Sequence, residues 1–77
     1  MTDNTISFSR TASDESRILS ADGAHLGDVY AYDDTLSPGR RVYEVHLVED
    51  WRGPVRLHER AKVRETAQRM VDTLPWR

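Results

Sequence analysis

The strongest constraint in this sequence is a single apolar stripe in its last third. Within residues 59–74 the apolar positions fall at successive intervals of four, three, one and three residues, which is the spacing of one helix face. Pro75 follows and cannot continue a helix, so the helix is predicted to span residues 59–74. Such a stripe has to pack on another element. Its members are Val63, Ala67, Met70, Val71 and Leu74.

The segments before this helix alternate apolar and polar residues, which is the period of a strand with one buried face. Strands are predicted at residues 6–9, 17–21, 24–32 and 42–48, with a short fifth strand at 55–57. The predicted fold is therefore α+β: an antiparallel β-sheet of four or five strands in a meander, with one C-terminal amphipathic helix packed on one face. At 77 residues, we expect one domain over residues 1–77.

The turns of this sheet are marked by their residue types. Residues 11–16 are all small or polar and predict a hairpin loop. Asp22-Gly23 favours a type I′ hairpin turn, because both central positions of that turn need positive φ. The longest irregular stretch, residues 33–41, has Pro38-Gly39 as its pivot and is expected to be the most mobile loop.

The alternation also predicts which side chains face the core. In the fourth strand, Glu44 and His46 fall on the face away from the core. Gly27 lies inside the third strand and is predicted to mark a β-bulge. Residues an even number of positions apart in a strand lie on the same face. In the third strand the predicted core-facing residues are Leu26, Tyr30 and Tyr32. In the fourth strand they are Tyr43, Val45 and Leu47.

Composition limits the cellular setting. The chain has no cysteine, which excludes disulfides and thiolate metal sites and fits a reducing compartment. The first residues have no basic segment followed by an apolar run, and no stretch approaches the roughly 20 apolar residues of a membrane span. We therefore expect a cytoplasmic protein without membrane attachment. Charge is uneven: residues 1–37 carry −5 and residues 38–77 carry +3, for a total of −2.

No catalytic or metal motif emerges from the sequence. If the hairpin of the last two strands is centred on Arg52, His46 faces His58 across the strand pair, a spacing that suits two metal ligands. A third ligand is missing, which favours two solvated surface histidines, so no metal and no cofactor are expected. The serines occur in no GxSxG or SxxK motif. The prediction is a protein that is not an enzyme and has no catalytic residues.

Recognition of another protein is the leading functional hypothesis. Trp and Arg are the residue types over-represented at binding hot spots, and they occur side by side at Trp51-Arg52, in a predicted turn. Trp76, beside another arginine, is a further candidate, although a tryptophan after a helix often covers its own core. Asp33 and Asp34 form a predicted acidic patch. These five residues are the predicted partner-binding site.

A small nucleic-acid-associated regulatory protein is the alternative hypothesis. Acidic residues interrupt the basic surface of the helix, and Glu65 is placed to pair with the arginine four residues later. The three tyrosines of the sheet are predicted to face the core, where they could not stack on bases. Direct nucleic-acid binding is therefore the weaker hypothesis. The residues that would contact phosphate are Arg60, Lys62, Arg64 and Arg69.

The chain resembles a functional class only at the level of size and composition. Compact, cysteine-free α+β proteins of uneven charge and without catalytic motifs are frequent among phage and mobile-element products that bind and block larger host complexes, anti-CRISPR proteins among them. This class analogy implies an inhibitor of a host complex and names no partner.

Overall fold

The computed structural model describes residues 4–49 and 52–74, and within these ranges the chain forms five strands and one C-terminal helix. The strands make a single antiparallel sheet in which each strand pairs with the next along the chain. The predicted α+β meander is confirmed. The strands are β1 (Ser7–Ala12), β2 (Glu15–Leu19), β3 (His25–Asp33), β4 (Arg41–Leu47) and β5 (Val55–Leu57).

The helix begins with a 3₁₀ turn, Arg60–Lys62, and continues as α1, Val63–Asp72. It packs on β4. Its predicted stripe faces the sheet: Val63 is partly buried against the core, and the other four members are buried. Across residues 4–49 and 52–74, no helix has the length and apolar character that crossing a bilayer requires.

The hydrophobic core lies between α1 and one face of the sheet. Ile18 of β2 and Val45 of β4 are completely buried there, and Val71 of the helix is buried opposite them. The core side of β4 agrees with its sequence alternation, since Val45 and Leu47 are buried while Glu44 and His46 lie on the other face. Three of the buried core residues in the strands, Ile18, Val29 and Val45, are β-branched, as strand propensity favours.

Two turns differ from their predicted form. β1 and β2 extend through most of residues 11–16, and Arg10 closes the short turn by donating to the carbonyl oxygens of Ala12 and Ser13 at 3.3 and 2.9 Å. At the Asp22-Gly23 turn, only the glycine has positive φ, +90°. The Gly23 N–H donates to the Ser20 carbonyl, which gives a three-residue loop ending in a left-handed glycine instead of a type I′ turn.

The predicted bulge is present beside Gly27. The pairing of β2 with β3 runs from Ile18 opposite Gly27 to Leu19 opposite His25, so one residue of β3 is extra. That residue, Leu26, packs against the core although its neighbour Gly27 is also buried on that side. The alternation of β3 therefore changes phase at the bulge.

The predicted register of β4 with β5 is wrong. The structure pairs Tyr43 with Leu57 and Val45 with Val55, so the hairpin is centred on residue 50 and not on Arg52. In this register Leu57 lies beside Tyr43 and Val55 lies beside Val45, so each of the two apolar residues of β5 has an apolar or aromatic neighbour on β4. His46 and His58 consequently do not face each other.

Polar side chains of α1 hold the segment that leads into β1. The Gln68 amide accepts a hydrogen bond from the Ile6 N–H at 3.0 Å and donates to the Asn4 carbonyl at 2.7 Å. The Arg64 guanidinium donates to the Ile6 carbonyl at 3.2 Å. These contacts attach the helix to the edge of the sheet farthest from β5.

Candidate functional site

The face of the sheet opposite α1, which we call the open face, carries a continuous set of polar and aromatic side chains. No helix or strand of the described ranges packs over it. The strand register places its residues in rows, because directly paired residues point to the same side. One row is Arg17, Asp28 and His46, and a second is Glu15, Tyr30, Glu44 and Arg56.

Glu44 is the centre of the open face, where its carboxylate accepts hydrogen bonds from three side chains. The Tyr32 hydroxyl donates at 2.5 Å, the His46 Nε2 atom lies at 2.6 Å, and the Arg56 Nε atom donates at 3.1 Å. The hydroxyl of Tyr32, followed by His46 and Arg56, holds the pKa of Glu44 below its usual value. An ionised carboxylate only accepts hydrogen bonds, so His46 donates from Nε2.

Tyr30 and Tyr32 occupy adjacent positions on this face and remain 37% and 39% exposed. The Tyr30 ring meets the His46 ring edge to face, with centroids 5.4 Å apart. Nearby negative charge from Asp28, then partial burial and Glu15, raises the pKa of the Tyr30 hydroxyl. Two aromatic rings are thus exposed while polar neighbours restrict their orientation.

The prediction that Tyr30 and Tyr32 face the core is wrong. The reason is the bulge at Gly27: counting alternate residues from Leu26 gives the wrong side once an extra residue is present in the strand. On the far side of the bulge it is Val29 that reaches the core. The argument that the sheet tyrosines are unavailable for stacking therefore fails for these two residues.

A second concave surface lies on the core side of the sheet, next to the start of the helix. We call it the arginine cleft. It encloses about 600 Å³, and four arginines from different parts of the chain contribute to its lining. Its apolar lining comes from strands and helix alike. The residues used below are Arg10, Arg41, Arg60 and Arg64 together with Phe8, Val29, Tyr43 and Val63.

The predicted acidic patch is already engaged within the chain. Asp33 forms a 3.2 Å ion pair with Arg41, although its side chain is 79% exposed. Asp34 accepts a hydrogen bond from the Leu36 N–H at 2.9 Å and lies 3.3 Å from His58. The Leu36 N–H, followed by His58, lowers the pKa of Asp34. These contacts give Asp34 a part in the β3–β4 loop; binding to a partner stays a prediction for both residues.

The other predicted partner-binding residues are Arg52, Trp51 and Trp76. Arg52 is exposed and donates to the Thr73 hydroxyl at 3.2 Å, which places this side chain beside the end of α1. Trp51 and Trp76 lie outside the described residues. The structure brings Asp33 and Asp34 together at the β3–β4 loop, away from the β4–β5 turn along the sheet.

The structure separates the four cations of the nucleic-acid alternative. Arg60 and Arg64 line the arginine cleft, and Lys62 is not among its lining residues. Arg69 pairs with Glu65 at 3.0 Å, which confirms the predicted ion pair one helical turn apart. No single basic face is formed by the four residues.

The histidines do not assemble into a metal site in the part of the chain that the structure describes. Each one has a different acidic neighbour: His25 lies 3.1 Å from Asp28, while His46 and His58 contact Glu44 and Asp34. No group of three or more potential ligand residues occurs within residues 4–49 and 52–74. The hypothesis of facing His46 and His58 ligands is wrong, because its register is wrong.

Comparison with known proteins does not narrow the function of this chain. Neither a protein-family model nor a curated protein nor a solved structure matches this chain. The geometry of the open face and of the arginine cleft is therefore the basis for assigning function.

Proposed function

We propose that this chain is a non-enzymatic protein-binding module whose docking surface is the open face of the sheet. The observation that carries this proposal is the pair of partly exposed tyrosines, Tyr30 and Tyr32, held in the middle of that face. Tyrosine is enriched in binding hot spots, because it offers a large apolar area together with a polar group. A flat sheet surface with aromatic residues at its centre and charged residues around them has the composition of a protein interface.

The restrained orientation of the two tyrosine rings favours binding. Tyr32 is fixed through its hydroxyl on Glu44, and Tyr30 through its contact with the His46 ring. Side chains that are already restrained lose less conformational entropy when a partner immobilises them. Restraint in the unbound protein therefore leaves more of the contact energy available for affinity.

The charges on the open face favour a protein over a nucleic acid. Arg17 and Arg56 are balanced by three carboxylates, those of Glu15, Asp28 and Glu44. A surface that follows a phosphate backbone needs a continuous excess of positive charge. Interleaved charges of both signs instead suit the mixed polar rim of a protein partner.

Binding of single-stranded nucleic acid is the second candidate function. The specific observation in its favour is that Tyr30 and Tyr32 lie exposed on a sheet face, where aromatic rings of RNA-binding sheets stack on bases. An inhibitory role, as the class analogy implies, would follow from the first proposal if the partner surface covered by the tyrosines is one that the partner needs.

The test compares three baits in cross-linked pull-downs from the source cell, each with and without nuclease treatment. The baits are the wild type, Tyr30→Ala and the matched control Leu36→Ala, which removes a large apolar side chain that is 92% exposed in a loop. We expect a protein that wild type and control capture in the presence of nuclease, and that the Tyr30→Ala bait loses. Titration of the purified partner should show about thirtyfold weaker binding to Tyr30→Ala, which corresponds to about 2 kcal/mol.

Three outcomes oppose this proposal. Capture that depends on intact nucleic acid, followed by direct binding of an oligonucleotide, would support the second candidate function instead. Capture that is equal for all three baits excludes the open face. An Arg52→Ala bait is a further arm, because loss of capture there alone would identify the turn at Trp51 and Arg52 as the docking site.

A further inference from the structure

We infer that the arginine cleft is a binding site for an aromatic phosphate, a phosphate monoester attached to a flat apolar group. The cleft is on the opposite side of the sheet from the open face, so this site is independent of the proposed function. Its volume of about 600 Å³ lies within the range of roughly 300–1,000 Å³ found for small-molecule sites. Its lining combines an apolar surface with several cations.

Two acidic residues, Asp14 and Glu15, also line the cleft, and each interacts with another residue of the chain. Asp14 binds the Arg41 guanidinium at 2.8 Å, and Asp33 binds the same group, so this arginine already has carboxylate partners. Both contacts raise the pKa of Arg41. Glu15 occupies a position paired with Tyr30, and its charge acts on that tyrosine at the open face.

Three arginines remain to receive an anion. The Arg60 side chain makes no hydrogen bond or ion pair within residues 4–49 and 52–74, although its main-chain carbonyl accepts a hydrogen bond from the Val63 N–H. Arg64 uses one nitrogen on the Ile6 carbonyl and places its guanidinium 4.9 Å from the centroid of the Phe8 ring. Arg10 donates only to carbonyl oxygens of the β1–β2 turn, which leave its charge uncompensated. A guanidinium has five N–H donors, so each of these groups has donors to spare.

The apolar lining explains why the ligand should carry a flat apolar group. Phe8 and Tyr43 present aromatic side chains to the cleft, and Val29 and Val63 add aliphatic surface from β3 and α1. None of these four residues is exposed, so their positions are fixed by the sheet and the helix. A planar group lying on this surface would bury apolar area, while its phosphate reaches the arginines.

The charge favours phosphate over a carboxylate. A phosphate monoester carries about −1.5 to −2 at pH 7 and offers three acceptor oxygens, which matches several guanidinium groups better than a single negative charge does. Phosphorylated tyrosine and a nucleoside monophosphate both present this chemistry. Free O-phosphotyrosine and adenosine monophosphate are therefore separate arms of the experiment.

Calorimetric titration of the full chain with phenyl phosphate tests the site. Inorganic phosphate, benzoate and phenol are the comparison probes, because each lacks one part of the proposed ligand. We expect phenyl phosphate to bind about tenfold more tightly than any of the three. The O-phosphotyrosine and adenosine monophosphate arms then show which apolar group fits.

Arg60→Gln is the test variant, and Lys62→Gln is its matched control, since Lys62 lies two residues away and outside the cleft. Arg60→Gln should weaken phenyl phosphate binding about tenfold, as expected from the loss of one charge-assisted contact. Lys62→Gln should leave it within about twofold. Chemical denaturation confirms that both variants are folded, and Arg64→Gln provides a second position.

The inference is overturned by any of three results. The first is the absence of saturable binding of phenyl phosphate at millimolar concentration. The second is equal affinity for phenyl phosphate and one of the comparison probes, since a part of the ligand would then go unrecognised. The third is equal weakening by Arg60→Gln and Lys62→Gln, which would indicate only attraction to the overall charge of the helix.

Discussion

Replacing Gly27 by alanine is expected to be among the most destabilising single changes in this protein, although it adds only one methyl group. An ideal Cβ built on Gly27 falls onto the His46 carbonyl oxygen and lies 2.9 Å from the Leu47 Cα atom. Both contacts are with the backbone of β4, so no change of side-chain rotamer relieves them. β3 and β4 would have to separate locally at the bulge.

The magnitude follows from comparison with ordinary overpacking. Inserting a methylene group into a packed core typically costs about 1–3 kcal/mol, and occasionally more, when side chains can adjust. Because only backbone can move here, we expect a loss of about 3 kcal/mol or more in the free energy of unfolding. Proteins have roughly 0.05–0.15 kcal/mol of stability per residue, which gives about 4–12 kcal/mol for this chain.

Gly23→Ala is the matched control for this experiment. Gly23 has a φ of +90°, but an added Cβ has no atom within 4 Å. Its cost is therefore conformational and should be about 1–2 kcal/mol. Urea denaturation followed by circular dichroism measures both variants. Hydrogen exchange adds a local measurement, because the Val48 N–H donates to the Leu26 carbonyl at 2.9 Å beside the clash and should lose protection. A cost for Gly27→Ala below that of Gly23→Ala would refute the steric argument.

Two further predictions concern the core and the open face. Met70→Ala or Leu74→Ala should lower the free energy of unfolding, measured by urea denaturation, by about 2–5 kcal/mol, because both side chains are buried. Leu36→Ala, the control at an exposed position, should change it by less than about 0.5 kcal/mol. Losses below about 0.5 kcal/mol for both core variants would contradict the packing of α1. Folding lowers the pKa of Glu44 below its ordinary value of 4.5, so ionised Glu44 stabilises the protein above that pH and this contribution is lost as the pH falls through the lower folded value. Glu44→Gln should accordingly be less stable than the wild type at pH 7 and approach it in urea titrations below pH 4.5; a difference that does not depend on pH would argue against an ionised Glu44.

The fold is predictable from the sequence where the local spacing of apolar residues determines the structure. The helix follows from a stripe of apolar residues that ends before Pro75, and the core side of β4 follows from its regular alternation. Both patterns depend on local spacing, and therefore the structure reproduces them. The bulge beside Gly27 is also predictable, since a glycine inside a strand often marks one.

The errors come from interactions that local spacing does not contain. A bulge adds one residue and reverses the direction of every later side chain, so the bulge at Gly27 turns Tyr30 and Tyr32 away from the core. The register of β5 depends on which core neighbours Val55 and Leu57 meet in three dimensions. The sequence of the turn alone does not show which residues of β4 these two side chains meet.

The candidate surfaces were predictable only in part. The sequence places Glu44 and His46 on one face, but it does not indicate that Tyr32 and Arg56 meet the same carboxylate from neighbouring strands. The arginine cleft combines residues from β1, β3, β4 and the start of the helix, which are up to 56 residues apart in the sequence. The sequence indicates Arg60 and Arg64 as candidate phosphate-binding residues, but only the fold brings them to the same cleft as Arg10.

The hydrogen bonds of Gln68 to the segment before β1 have a consequence for the order of folding. They join residues separated by 62 and 64 positions, and closing so long a loop carries a larger entropic cost than forming any of the hairpins. The hairpins can form from neighbouring residues as soon as these are available, whereas this attachment has to wait for the helix. During synthesis, the segment before β1 therefore stays unattached until the helix has formed, although β1 itself can already pair with β2.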